Sequence, residues 1–190
     1  MKRVLLRNKF IPVAAVLLLC CPFVSGCLIA DKQTVAMRLI SPQKGIVTYI
    51  YHGIKSDSDE EKEIEKDFNV LAAMVSEKSR EDIFKNNKIK IERWTIDADE
   101  NDVVYGAVEG SFNVLEFFAY NGYNISNEEI IIVLPILKNQ KLTSNGKIVK
   151  TKNNYMLVWP QNTKMLEWTI IDQQSMKYPN NLGNLLAQNK

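Results

Sequence analysis

All three cysteines, Cys20, Cys21 and Cys27, fall within the first 27 of 190 residues. Residues 28–190 therefore hold no thiol. Disulfides, cysteine-ligated zinc, iron–sulfur clusters and cysteine nucleophiles are excluded from that stretch. Histidine is nearly as scarce, with His52 alone. A histidine pair such as H-E-x-x-H cannot form. No G-x-x-x-x-G-K-[ST] phosphate loop and no G-x-G-x-x-G occurs. Gly110-Ser111-Phe112 lacks the second glycine of G-x-S-x-G. The longest apolar run, Phe10 to Val24, is interrupted by Pro12 and Pro22. It falls short of the roughly twenty residues a membrane-spanning helix needs.

What is present at the N-terminus is a processing pattern. Lys2, Arg3, Arg7 and Lys9 form a basic region without an acid, and the apolar run follows. That order is the n-region and h-region of a secretory signal. Val24-Ser25-Gly26-Cys27 stands where a cleavage site is expected. This stretch resembles the lipobox of bacterial lipoproteins. The resemblance implies removal of residues 1–26, diacylation of the Cys27 thiol and acylation of the new N-terminus. Two or three acyl chains hold a protein essentially permanently, where one binds only marginally. Leu28 follows the cysteine, and the family's sorting rule in bacteria of the enteric type uses aspartate there for inner-membrane retention. The expected location is the cell envelope, lipid-anchored through Cys27, at the outer membrane if two membranes exist.

Cleavage changes the charge. Four of the 24 Lys+Arg leave with the signal, so 20 face 22 acids, and the formal +2 of the whole chain becomes about −2. Nothing in that balance points to nucleic acid. The remaining 164 residues suit one domain with one core. The expected organisation is a lipidated tether over 27–32, a single domain over 33–172 and a polar tail over 173–190.

Within the domain, Val35, Met37 and Leu39 alternate with their neighbours, a turn follows at Ser41-Pro42-Gln43, and Ile46 to Tyr51 is β-branched and aromatic. This predicts a hairpin. Ser58 and Glu61 have capping-box spacing, and Ile64, Phe68, Leu71 and Val75 form a helical stripe, so a long amphipathic helix is predicted over 59–78. Residues 88–96 and 103–110 read as a strand pair, and Ser111 as the cap of a short helix. Ile130 to Leu134 reads as a strand buried on both faces, with Pro135 at a bulge or edge. Ser144-Asn145-Gly146-Lys147 predicts a tight hairpin, because Asn-Gly supplies positive φ angles. Tyr155, Leu157 and Trp159, then Leu166, Trp168 and Ile170, predict two further strands of a C-terminal meander. Leu182, Leu185 and Leu186 suggest a last helical turn.

The fold class expected is α+β: a mainly antiparallel sheet with the long helix packed on one face. This element order behind a lipobox is similar to that of small envelope lipoproteins of the LppM-like type, a likeness of order rather than of motif.

Three sets of residues carry candidate chemistry. Asp97, Asp99 and Asn101 occupy the first, third and fifth positions of a calcium loop. Asp102 stands where glycine is needed and Val108 where a bidentate glutamate is needed, so the expectation is an acidic turn, with a weak calcium site as the alternative. His52, at a strand end, has the chemistry of a general base only if a carboxylate orients it. Phe112, Phe117, Phe118, Tyr120, Tyr123, Trp94, Trp159 and Trp168 either fill the core or line a cleft. No catalytic residue, metal or cofactor is assigned. The functional expectation is a non-catalytic lipoprotein that binds an envelope protein or helps assemble a surface complex. Behind it stand a carrier of lipid or small apolar ligands and then a hydrolase using carboxylates.

Overall fold

The computed structural model describes residues 28–75 and 88–188. The signal, the lipobox with Cys27 and the expected helix end at 76–78 lie outside the described residues.

The chain is mainly antiparallel sheet with few helices. Two long strands, β1 (Leu28–Ser41) and β2 (Lys44–Ser56), form a hairpin through Pro42-Gln43. β3 (Ile89–Ala98) and β4 (Val104–Phe112) form a second. Then come a two-residue β5 (Asn124–Ile125), β6 (Glu129–Pro135), β7 (Gln140–Ser144), β8 (Lys147–Lys150), β9 (Asn154–Pro160) and β10 (Met165–Asp172). They build a six-stranded sheet of order β3-β4-β2-β1-β10-β7 and a four-stranded sheet of order β5-β6-β9-β8. The alternation seen in the sequence sets the faces. Val35, Met37, Val47, Tyr49, Leu166 and Trp168 of the large sheet share one buried core with Ile130, Ile132, Leu134, Leu157 and Trp159 of the small one. Sheet packs on sheet, and period-2 strands supply both inner faces.

This differs from a simple C-terminal meander. β7 and β8 do not pair with each other: β7 pairs with β10 and β8 with β9. Asn145-Gly146 is a corner where the chain leaves one sheet for the other. Gly146 does not sit at positive φ. It is glycine because a Cβ there would lie 2.5 Å from the Trp159 ring. Pro160 to Thr163 makes the return crossing, closed by the Thr163 N–H donating to the Pro160 carbonyl at 3.0 Å.

The helices are few. α1 (Glu61–Val75) buries Phe68 and Leu71 and touches β2 and β3. Its start differs from the expected capping box. The Ser58 hydroxyl accepts from the Glu60 N–H at 3.1 Å, making a local turn, and the helix begins after Glu60. α2 (Val114–Asn121) is capped by Asn113, whose Oδ1 accepts from the Glu116 N–H at 3.2 Å. Ser111, the expected cap, is still in β4. β6 is apolar from Ile130 on, yet only Ile130, Ile132 and Leu134 are buried, while Ile131 and Val133 are half-buried on the other face. Pro135 ends that strand where β9 is its pairing neighbour. A 3₁₀ turn (Ser175–Lys177) and α3 (Gly183–Gln188) follow β10.

Two expected segments are part of the fold. Residues 28–32, read as tether, open β1 and pair with β2, Leu28 facing Ser56. In the stretch read as a polar tail, Leu182 is fully buried.

Candidate functional site

Leu28 is the residue after the expected anchor, so the end of the domain where it pairs is the one to inspect. Opposite Asp31 on β2 stands Gly53 at φ +70°. Only glycine takes this φ without strain, and the Asp31 carboxylate lies where a side chain would be. Asp31 thereby reaches Lys55, Oδ2 to Nζ 2.9 Å, with the lysine side chain 3% exposed. Lys55 Nζ also donates to the Tyr178 carbonyl at 3.1 Å. The Ser175 hydroxyl lies 2.8 Å from Asp31 Oδ1 and 2.9 Å from the Asp172 carbonyl. A buried ionic latch ties the segment after β10 to the start of β1.

A second set of bonds adjoins it. The Ser56 hydroxyl donates to Asp67 Oδ2 of α1 at 2.5 Å. Asn181 closes the arrangement: its Oδ1 accepts from the Ser56 N–H at 3.0 Å, and its Nδ2 donates to the carbonyls of Ser56 and Ser58, each at 3.1 Å. Burial pushes the Asp67 carboxyl above the usual range. The Ser56 hydrogen bond opposes this, Asp57 and Glu63 add to it, and Lys66 lowers it. A carboxyl held high keeps its proton in the fold where the unfolded chain has lost it. Stability then falls as pH rises from the unfolded value of about 4 through the raised folded value. Asp67→Asn keeps an acceptor for Ser56 and cannot titrate. Urea midpoints at about pH 3 and about pH 7 should show the variant gaining on the wild type as pH rises. Parallel pH profiles would contradict this account of Asp67.

Between α1 and α3, above this network, opens a cleft of about 590 Å³. Ile64 and Phe68 of α1 and Leu185 of α3 supply its apolar walls, and Asp59, Glu61 and Glu65 its acids. The carboxamides of Asn69, Asn181 and Asn184 complete the lining. On α1 the residues 61, 64, 65, 68 and 69 recur at helical spacing, so two acids share the face of the apolar stripe.

The residues singled out from the sequence lie elsewhere. Asp97 Oδ1 accepts from the Ala98 N–H at 2.8 Å, and Asp99 Oδ1 from the N–H groups of Asn101 and Val103 at 2.9 and 3.0 Å. Asp99 and Asn101 are thus in a turn held by its own backbone. Among the described residues no three His, Cys, Asp or Glu gather as a metal site. His52 is exposed on the outer face of the large sheet, between Lys32 and Tyr105, and β4 separates it from Asp97. The aromatics divide. Phe112, Phe117, Phe118, Trp159 and Trp168 are at most 5% exposed, Trp94 packs against the core, and Tyr120 is exposed. Phe117, Phe118 and Tyr123 meet edge to face with ring centroids 5.6–6.1 Å apart. The Tyr123 hydroxyl is buried without a hydrogen-bond partner among the described residues, and burial raises its pKa well above the phenol range, as it does for Tyr49 and Tyr51.

Sequence reasoning missed the latch and the cleft. Asp31 and Lys55 are separated by 24 positions and signal nothing locally. The acids at 61 and 65 beside Ile64 and Phe68 were the visible trace of the cleft. Among the described residues no helix is long and apolar enough to cross a membrane. Comparison with protein-family models, with curated proteins and with solved structures gives no match.

Proposed function

We propose that the protein is a bacterial envelope lipoprotein, anchored by acylated Cys27, whose domain binds a protein partner or helps assemble an envelope complex without catalysis. The observation that carries the reading is Val24-Ser25-Gly26-Cys27, placed directly before Leu28, where β1 begins. In this reading the domain is held against the lipid surface by its first strand, with almost no tether. In this reading α1 is the long amphipathic helix of the domain, its apolar stripe laid against the sheet. The packing of Phe117, Trp159 and Trp168 in the core favours a binding surface over a carrier's internal cavity.

Cys27→Ser tests the anchor. A hydroxyl cannot take the thioether lipid, so the variant should accumulate as unprocessed precursor with no incorporation of labelled palmitate. Wild-type protein should take the label and enter the detergent phase of a cloud-point split. Wild-type protein that stays unlabelled and aqueous sinks the reading.

A further inference from the structure

We propose that the cleft between α1 and α3 binds a basic, partly apolar peptide segment of a partner protein. This names a partner class for the function above and rests on that reading.

Charge complementarity identifies the occupant. Asp59, Glu61 and Glu65 line the cleft, and among the described residues no lysine or arginine does. Among the described residues none of the three takes part in an ion pair; the α1 pair is Lys66 with Glu63, at 3.5 Å. The N-terminal dipole of α1 offsets only about half a charge. More than two negative charges therefore stand uncompensated around Ile64, Phe68 and Leu185. A helix whose acids were merely solvated would carry them opposite its apolar stripe. Here Glu61 and Glu65 border it. Lysine and arginine match that pattern, since their aliphatic stems lie on apolar surface while the charged head reaches a carboxylate. Asn184 supplies a carboxamide to the lining that can meet backbone groups of an extended segment. Asn181 is itself fixed by its three bonds to Ser56 and Ser58, so that wall is preorganised.

The test uses the full chain in non-ionic detergent and an acetylated, amidated probe peptide of alternating lysine and leucine, followed by fluorescence anisotropy. Saturable binding is expected, weakening as salt rises from about 50 to about 500 mM. Glu61→Gln with Glu65→Gln should weaken it at least about tenfold. Glu128→Gln with Glu129→Gln removes the same charge at the start of β6 and should leave it unchanged. The same peptide with glutamate for lysine should not bind. No saturable binding, equal loss in both double variants, or binding of the glutamate peptide each overturns the proposal. Failure of the anchoring reading appears separately, in palmitate incorporation.

Discussion

Asp31→Ala is expected to destabilise the domain by about 3–5 kcal/mol, because it leaves Lys55 buried and charged without its carboxylate. The lysine side chain is 3% exposed and the aspartate 17%, so solvent has little access to replace the lost partner. The Tyr178 carbonyl remains as one acceptor, and it does not neutralise the charge. Lys55→Met should also be costly, since Asp31 then keeps only the Ser175 hydroxyl. The double variant removes both charges and should cost much less than the sum, with a coupling of about 2 kcal/mol or more. Urea titration of the four proteins reads this directly. The singles should also free the segment around Tyr178 and Asn181, making it open to chymotrypsin. Additive costs with an unchanged cleavage pattern would remove the latch as an explanation of how the C-terminal segment is held.

The same residues show why part of the fold was legible in the sequence and part was not. Period-2 alternation marked β1 and β2, and the stripe Ile64, Phe68, Leu71 marked α1, because each pattern is read within a few residues. The tether and tail readings failed for a shared reason. Ala30-Asp31-Lys32 and Gln173-Gln174-Ser175 are polar, and polarity suggests a linker until Asp31 meets Lys55 and, across 144 positions, Ser175. Ser111 and Asn113 are both good caps, and only the pairing of Ser111 with Ile46 and Lys90 decides between them. The candidate site was visible from one side alone. Acids beside an apolar stripe can be read from α1, but not that α3 closes the cleft. Asn145-Gly146 was a strong hairpin signal, and its partner in space decided its use.

That partner is Trp159, and Trp159→Ala should cost about 3–5 kcal/mol, from lost burial and the cavity left behind. The ring is 2% exposed and its centroid lies 6.3 Å from that of Trp168 on the facing sheet. Its Nε1 donates to Asn145 Oδ1 at 2.7 Å, and the same oxygen accepts from the Glu167 N–H at 2.9 Å. Asn145 Nδ2 donates to the Met165 carbonyl at 3.0 Å. One carboxamide thus joins β9 of the small sheet to β10 of the large one. Asn145→Ala should cost about 1–3 kcal/mol, since it strands a buried indole N–H. Gly146→Ala separates the corner from a tight hairpin. In the wild-type background the new methyl must displace the Trp159 ring, a loss of about 1–3 kcal/mol. With Trp159→Ala the space is open and the backbone φ is ordinary, so the same change should become nearly neutral. A type I′ turn would keep its penalty in both backgrounds, because alanine at positive φ is strained whatever stands opposite. Denaturant midpoints for the four combinations decide between them, and an undiminished Gly146→Ala cost without the indole would return Asn145-Gly146 to a hairpin.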